Sequence, residues 1–242
     1  MKSEELLTRD LAQIRKLRVE DFADRNMSDA EIKFIFGSCD ALWLHSGDPE
    51  HPHAELTSGK CSNGFVDVLR VLKHTNLCEI FAAQLIRKLG NVFSAHPYDW
   101  VIGSDHAGAT LSYAVAAQLG LQHDFTEKGM DEISGRKLQV WKRFSIQPDE
   151  RVLQVEELVT TTGTLRAVRE GIRTGNPTPV LFAPLVAILV HRSDENKFEE
   201  YPILYLIHFD IQTWKPEECP LCAAGSKRLR PKTNWAELTG KG

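Results

Sequence analysis

The sequence predicts an α/β protein in which helices cover both faces of a parallel β-sheet. From about residue 64 onwards, helix and strand signals alternate along the chain. The strand candidates are continuously apolar, as in "PVLFAPLVAILV" at residues 179–190, rather than alternately apolar and polar. Strands of this kind that are separated by helices are typical of a parallel sheet buried on both faces.

Each predicted element has its own local signals. Residues 1–50 have helical patterns, with a leucine-rich apolar stripe followed by the capping-box pattern "SDAE" at residues 28–31. The predicted helices of the main domain are residues 75–90, 108–120 and 163–175, the first two closed by Gly90 and Gly120. The predicted strands are residues 99–104, 151–157, 179–190 and 201–209.

Composition and charge limit the classes of ligand. The chain has 242 residues, 42% of them hydrophobic and 26% charged, which is enough for one main domain with an addition. The net charge of −4 and the pI near 6.1 count against a surface for nucleic acid or anionic membrane. An anionic ligand must therefore be bound by local groups.

Cellular context is predicted from apolar runs and cysteines. The longest apolar run, residues 179–190, is too short to span a bilayer, and residues 1–10 lack the apolar segment of a signal peptide. An odd number of cysteines at low density favours reduced thiols: Cys39, Cys61, Cys78, Cys219 and Cys222. We therefore expect a cytoplasmic protein that does not bind membranes.

The stretch "VLQVEELVTTTGTL" at residues 152–165 carries the strongest chemical signal. Two acids, Glu156 and Glu157, follow an apolar strand, and the threonine-rich residues 160–164 precede a helix. Free amides at a helix N-terminus, together with hydroxyls, can hold a phosphate, and adjacent carboxylates can accept hydrogen bonds from a ribose diol. The alternative is a buried strand that ends in a threonine-rich cap. A Rossmann fingerprint is absent, and "GSDHAGAT" has Ala109 where a P-loop needs lysine.

This stretch resembles the phosphoribosyl diphosphate (PRPP) motif of type I phosphoribosyltransferases, in which an acid pair precedes Thr-Thr-Gly-Gly-Ser/Thr. Three other stretches are similar to orotate phosphoribosyltransferases. They are "HAELTSGKCSNGFVDV" at 53–68, "FTEKGMDEISGRKLQVWKRFSIQPDERVLQVEE" at 125–157 and "YPILYLIHFDIQTWKPEECPLC" at 201–222. Together the resemblance covers most of residues 50–225.

The resemblance implies a fold and an activity. The expected fold is a five-stranded parallel core sheet flanked by helices, with a small hood and an N-terminal helical extension, usually in a homodimer. It divides the chain into residues 1–50 (extension and part of the hood), 51–213 (core) and 214–242 (a tail packed on core or hood). The implied reaction is Mg²⁺-dependent transfer of phosphoribose from PRPP to N1 of orotate, giving orotidine 5′-phosphate and pyrophosphate.

The resemblance also assigns roles to residues. Catalysis is assigned to Lys128, Glu156 and Glu157, of which Lys128 engages the diphosphate and the two acids hold the ribose diol. PRPP binding is assigned to Gly103, Ser104, Asp105, His106, Ala107, Gly108, Lys137, Lys142, Arg143, Thr160, Thr161, Thr162, Gly163 and Thr164. Base binding is assigned to Lys60, Phe65, Thr160 and Arg192, with the Arg192 guanidinium pairing with the orotate carboxylate.

The chain departs from the family pattern in four places. Thr162 replaces the first glycine of the phosphate loop, which would cost about 1 kcal/mol if the backbone there needs a positive φ. Glu157 replaces the common aspartate, Ala107 replaces a lysine of one branch, and the Lys-x-x-x-Lys-x-His-Gly loop pattern is absent. Two alternatives therefore stay open: a non-catalytic PRPP- or nucleotide-binding regulator, and a phosphoribosyltransferase for another base.

The sequence favours Mg²⁺ over zinc as the metal ion of this protein. Mg²⁺ is expected with the diphosphate rather than on dedicated protein ligands, since it retains water ligands. A zinc site is not expected, because "CPLC" at residues 219–222 has no second cysteine pair in the sequence and zinc needs four ligands. The "HPH" at residues 51–53 could supply distant ligands, but surface histidines in a proline-containing loop are the more common explanation.

Overall fold

The computed structural model describes residues 1–93, 98–132 and 135–240. Short 3-10 helices span Val19–Phe22 and Pro216–Glu218. The α-helices of the described residues are α1 (Ser3–Leu6), α2 (Leu11–Ile14), α3 (Asp29–Ser38), α4 (Leu69–Leu72), α5 (Thr75–Phe93), α6 (Ala107–Leu119), α7 (Gly163–Gly175), α8 (Pro220–Ala223) and α9 (Trp235–Thr239). None of the helices in this part of the chain combines the length and apolarity that a membrane span requires.

Within the described ranges, the strands form one large sheet, one small four-stranded sheet and two antiparallel two-stranded pairs. They are β1 (Leu42–Leu44), β2 (His53–Glu55), β3 (Cys61–Ser62), β4 (Gly64–Val66), β5 (Trp100–Gly103), β6 (Gln122–Phe125), β7 (Glu127–Met130), β8 (Lys137–Val140), β9 (Arg151–Val159), β10 (Leu181–His191), β11 (Lys197–Phe198), β12 (Tyr201–His208), β13 (Thr213–Trp214) and β14 (Arg228–Leu229).

The large sheet confirms the predicted parallel core. Its strand order is β11-β12-β10-β9-β5-β6, and the five strands from β12 to β6 pair in parallel. The short β11 adds an antiparallel edge to β12. Consecutive residues of β5 show that both faces are covered, because Val101 packs in the cluster of α5 and α6 whereas Trp100 and Ile102 pack with α7.

The N-terminal extension packs into the main core. The predicted capping box forms, with the Ser28 hydroxyl accepting from the Glu31 N–H and the Glu31 carboxylate accepting from the Ser28 N–H. Side chains of α1, α2 and the first 3-10 helix, including Leu6, Ile14 and Phe22, are buried in the same cluster as α5 and α6. The extension is thus continuous with the sheet domain.

Three sequence predictions need correction. The helix predicted to end at Gly90 continues to Phe93, because Gly90 does not adopt the positive φ of a glycine C-cap, in contrast to Gly120. The region predicted to be helical up to residue 50 contains strand β1. The histidine at 53, expected on the surface, is fully buried because β2 lies between β3 and β14.

The small sheet joins distant parts of the chain. Its order is β13-β3-β2-β14, so the β2–β3 hairpin is paired on one side by β13 and on the other by β14. Strands β1 and β4 form a separate antiparallel pair. Residues near 53–66 and the segment after residue 212 therefore form one structural unit.

Candidate active site

Three segments meet at the carboxyl edge of the large sheet. Because β5, β9 and β10 are parallel neighbours, the residues that follow them emerge on the same side. These are residues 104–106 after β5, residues 160–162 after β9 and Arg192 after β10. Ligands of open parallel sheets bind at this edge. The sequence had predicted site residues in all three segments.

The two adjacent acids of β9 differ in exposure. Glu156 is buried, and its carboxylate accepts hydrogen bonds from the Ser104 N–H at 2.9 Å and the Ser104 hydroxyl at 2.6 Å. Glu157 is only partly buried. Burial raises the pKa of both carboxyls, and the neighbouring charge of Glu157 raises the pKa of Glu156 further. Glu156 therefore holds the loop after β5, while Glu157 is the more accessible acid.

Two glycines allow this loop to lie against the acids. A Cβ at Gly103 would be 2.6 Å from the Gly108 carbonyl oxygen. A Cβ at Gly108 would be 2.6 Å from Glu156 Oε2 and 2.7 Å from Ser104 Oγ. The family resemblance assigned both glycines to PRPP binding. The structure shows close approach to protein atoms, and the ligand role stays a prediction.

The loop after β5 is strained at His106. This residue has φ 61° and ψ −108°, a conformation that residues with a side chain rarely adopt. Such strain costs about 1–3 kcal/mol and is concentrated at functional sites. Ala107 is buried and starts α6 directly after the strained residue. The loop is thus held in a defined shape by the surrounding contacts.

A hydrogen-bond network connects this loop to the β7–β8 hairpin. Lys128 Nζ lies 2.7 Å from Asp105 Oδ2, and Gln139 Nε2 donates to Asp105 Oδ1 at 3.2 Å. The Thr126 hydroxyl donates to Gln139 Oε1 at 2.8 Å. Burial opposes ionisation of Asp105, but the hydrogen bonds from Lys128 and Gln139 outweigh it and lower its pKa. Thr126 and Gln139 were missed from the sequence because their hydrogen-bonding partners are 13 and 34 residues away along the chain.

A cavity of about 560 Å³ lies between the β7–β8 hairpin and the start of α7. It brings together predicted residues from three segments of the chain. The lining residues are Lys128, Gly129, Met130, Lys137, Leu138, Gln139, Gly163, Thr164 and Ala167. Both lysines and the helix N-terminus contribute positive potential, which suits an anion.

The loop before α7 carries no backbone strain at Thr162. Its φ is −75° and its ψ is 5°, which any L-residue can adopt. The penalty that a positive φ would have imposed is therefore absent. The Thr162 side chain makes no capping hydrogen bond.

A second cavity, of about 350 Å³, lies on the other side of this loop. It brings Thr160 and Thr161 together with Arg192, and residues 193–195 and 208–213 complete it. Arg192 Nε is buried and has no hydrogen-bonding partner among the residues described. Burial lowers the pKa of Arg192. Asp194, Glu195 and Asp210 line the same cavity, but among the described residues none of them forms an ion pair with Arg192 within 4 Å.

Four predicted residues lie neither in the lining of the two cavities nor beside the loops after β5 and β9. Lys142 and Arg143 pair with Glu127, whose side chain points to the opposite face of β7 from Lys128 because neighbours alternate along a strand. Lys60 is exposed in the β2–β3 turn. The Phe65 ring packs edge-on against Trp235, with centroids 6.1 Å apart. In this structure these four residues do not line either cavity, and their ligand roles remain predictions.

The chain is similar in sequence to curated orotate phosphoribosyltransferases of bacteria. The protein of Desulforamulus reducens is 33% identical over 179 residues, which cover 74% of this chain and 87% of that protein. The protein of Heliobacterium modesticaldum is 31% identical over 205 residues, covering 85% of this chain and 98% of that protein. No protein-family model matches the chain.

Solved structures agree with the architecture. Orotate phosphoribosyltransferase from Aeropyrum pernix superposes with a TM-score of 0.54 at 16% identity, covering 72% of this chain and 92% of that one. The Mycobacterium tuberculosis orotate phosphoribosyltransferase, in its complex with Fe(III) dicitrate, gives 0.51 at 16% identity, with 72% and 94% covered. At such identity the likeness concerns the fold alone, and it confirms the predicted fold class.

Proposed function

The chain belongs to the orotate phosphoribosyltransferase family, and on this premise we propose that it transfers phosphoribose from PRPP to orotate. The products are orotidine 5′-phosphate and pyrophosphate, a step of pyrimidine nucleotide synthesis. The C–O bond between the anomeric carbon and the diphosphate breaks, and a C–N bond to N1 of orotate forms. The electron pair of the C–O bond leaves with the diphosphate, which takes up the N1 proton in the net reaction.

The observation that carries the choice of base is the environment of Arg192. Its guanidinium is half-buried beside Thr160, and its Nε lacks a partner within the described part of the chain. A planar carboxylate such as that of orotate matches the fork of donors that arginine presents. Bases without an acidic group, such as uracil or adenine, would leave the buried Nε of this half-buried arginine without an acceptor, which is costly.

The remaining groups suit the PRPP half of the reaction. The free N-terminus of α7 and the threonines before it hold the 5′-phosphate, and Glu157 accepts hydrogen bonds from the ribose hydroxyls. Glu156 positions the loop after β5 through Ser104. Lys128 offsets charge on the leaving diphosphate. Cleavage of the anomeric bond develops oxocarbenium character, so positioned charges and exclusion of water carry the catalysis.

We propose Mg²⁺ as the cation that accompanies PRPP. The ion would be carried by the diphosphate oxygens and its own waters, and Asp105 and Glu157 would supply negative charge beside it rather than dedicated ligands. Both acids flank the loop after β5, where the diphosphate is proposed to bind. When bound, the ion would neutralise negative charge on the diphosphate.

Exposed apolar side chains favour self-association of the chain. We propose a homodimer because Leu69 and Tyr113, 49% and 63% exposed, are large apolar side chains on the surface. Tyr113 lines an apolar cavity of about 460 Å³ beside Leu72 and Ala117. Light scattering of the purified protein would show the mass of a dimer.

We propose the cytoplasm as the location of the protein, because five free cysteines suit a reducing compartment.

The test is orotate consumption followed by absorbance with PRPP and Mg²⁺. Wild type should turn over orotate, and Glu157→Gln should lower kcat by roughly a hundredfold, since one electrostatic contact to the reacting sugar is lost. Glu200→Gln, at an exposed acid outside both cavities, is the matched control and should retain wild-type turnover.

The outcomes separate the alternatives. Absence of turnover, with PRPP binding preserved in calorimetry, would replace the enzyme by a PRPP-binding regulator. Turnover of uracil or adenine in preference to orotate would keep the transferase and change the base.

A further inference from the structure

Four side chains that could bind a metal ion converge away from the proposed active site. They come from three parts of the chain: His53 on β2, Cys61 on β3, and Cys219 and Cys222 around α8. The imidazole nitrogen and the three sulfur atoms all lie within 4.8 Å of one another. Sequence spacing had counted against zinc because only one cysteine pair was visible. Folding supplies the other two donors, since β2 and β3 lie beside the segment that contains α8.

Three of the six distances between these atoms are close to those of a tetrahedral zinc site, and the other three are within 4.8 Å. With Zn–S near 2.3 Å and Zn–N near 2.0 Å, a regular tetrahedron places two sulfurs about 3.8 Å apart and a sulfur about 3.5 Å from the nitrogen. The sulfurs of Cys61 and Cys222 are 3.5 Å apart. His53 Nε2 lies 3.8 Å from the Cys219 sulfur and 3.4 Å from the Cys222 sulfur.

The hydrogen bonds of Ser226 leave His53 Nε2 free to bind a metal. Ser226 Oγ donates its single hydrogen to the His51 carbonyl oxygen at 2.6 Å. It must therefore accept at its contact with His53 Nδ1, which lies at 2.9 Å, so Nδ1 carries the proton. The lone pair of Nε2 then faces the sulfurs of Cys219 and Cys222. Metal-binding histidines in proteins are oriented by this type of contact on the other ring nitrogen.

Neither apolar packing nor a disulfide explains the cluster as well as a bound metal ion does. His53, Cys61 and Cys219 are buried and Cys222 is half-buried. A buried imidazole nitrogen needs a partner, and thiols are weak donors. A disulfide would use two of the three sulfurs and would leave the third cysteine and His53 Nε2 without a ligand.

We propose that His53, Cys61, Cys219 and Cys222 bind one structural Zn²⁺ ion. Three thiols lose their protons on binding, so the Zn(Cys)₃His centre carries a net charge of −1. The Arg228 guanidinium lies beside Cys61 and offsets this charge. Sulfur and imidazole donors in tetrahedral geometry select zinc over Mg²⁺ or Ca²⁺, which prefer oxygen.

The ion would hold the small sheet together. Four protein ligands close the coordination sphere, so the site is structural rather than catalytic. It links the β2–β3 hairpin to the segment 219–222, which follows the short strand β13. Asn63, two residues after ligand Cys61, accepts at its side-chain oxygen from the Gln212 N–H at 2.8 Å, and Gln212 lines the Arg192 cavity. The zinc site therefore supports one wall of that cavity.

The first experiment measures metal in the full-length wild type purified under reducing conditions. Elemental analysis and native mass spectrometry should find one zinc per chain. Protein refolded with Co²⁺ in place of zinc should show the absorption of a tetrahedral, thiolate-bound ion. Metal-free wild type, whether its thiols are free or Cys61 and Cys222 are joined in a disulfide, would overturn the proposal. So would an octahedral Co²⁺ spectrum.

The second experiment locates the site with matched cysteine variants. Cys222→Ala should lose the zinc, whereas Cys78→Ala should keep one zinc per chain, because Cys78 is packed in the main core and contacts the Thr110 carbonyl. Retention of zinc by Cys222→Ala would place the ion elsewhere and refute the assignment. If Cys222→Ala does not fold, the wild-type metal content and the Co²⁺ spectrum still decide the question.

Discussion

Thr162 occupies a position where the family resemblance expects glycine, and its backbone explains why threonine is accepted. With φ at −75° the residue lies in a region open to every L-amino acid, so the exchange costs no backbone strain. The sequence identified the residue as the main departure but could not give its φ. In the same way, the sequence predicted that the acid pair at 156–157 belongs to the site. It could not predict that Glu156 would be committed to Ser104, which lies 52 residues away.

Arg192 should decide the affinity for orotate. Arg192→Gln removes a charged, half-buried donor whose Nε has no other partner among the described residues. A hydrogen-bonded charge of this kind is worth about 1.5–3 kcal/mol, so kcat/KM for orotate should fall roughly tenfold to a hundredfold. PRPP binding, measured by calorimetry, should change little because the PRPP groups lie on other loops.

Lys197→Gln is the matched control for Arg192, since it removes an exposed cation from the edge strand β11. It should leave kcat/KM unchanged. An equal loss in both variants would mean that general electrostatic attraction, rather than a specific contact, explains the effect of Arg192.

Long elements and short elements differ in how far the sequence determines them. The helix α7 was predicted within its observed bounds because Leu165, Val168 and Ile172 recur at helical spacing and are all buried. Strand β9 was predicted from its continuous apolar run. The β7–β8 hairpin, by contrast, is not among the predicted strands, because its position depends on contacts with α7 and with the loop after β5. Strands of two or three residues in the small sheet have no periodicity to detect.

The hairpin packs on α7 through a glycine, which gives a test at the level of the element. A Cβ at Gly171 would lie 2.7 Å from the carbonyl carbon of Gln139 on β8, so backbone would have to move. Gly171→Ala should therefore destabilise the protein by about 1–3 kcal/mol. It should also weaken PRPP binding, because Gln139 holds Asp105. Denaturant unfolding and calorimetry measure the two effects.

Gly90→Ala provides the comparison within another helix. A Cβ at Gly90 meets nothing within 4 Å, so alanine should be neutral or stabilise α5 by about 0.5–1 kcal/mol. If Gly171→Ala were equally harmless, the close approach of β8 to α7 would not be essential to the fold.

At the scale of the whole molecule, the sequence predicted the parallel sheet and the edge at which the site forms. It could do so because parallel strands run in the same direction, which places their carboxyl ends at one edge of the sheet. It could not predict the small sheet, since its pairing joins residues 53–62 to residues 213–229. Nor could it predict how the N-terminal extension packs. That segment had a helical pattern but no indication of its partner, and the structure places its apolar side chains in the main core.

Because the extension shares that core, a substitution within it should destabilise the entire protein. Phe22 is 1% exposed, and Arg25 lies over its ring with the guanidinium carbon 5.4 Å from the centroid. Phe22→Ala should cost about 3–5 kcal/mol. For a chain of this size, that loss should lower Tm by roughly 10 °C while calorimetry still shows one cooperative transition.

Leu11→Ala removes an apolar side chain that is 36% exposed on the same extension, and it should change Tm far less. A separate low-temperature transition in Phe22→Ala, with the main transition unmoved, would instead show that the extension folds independently. The buried positions of Leu6, Ile14 and Leu17 in one cluster with α5 and α6 argue for the cooperative result. A side chain that belongs to a shared core cannot be truncated without weakening the packing of the helices that cover the catalytic sheet.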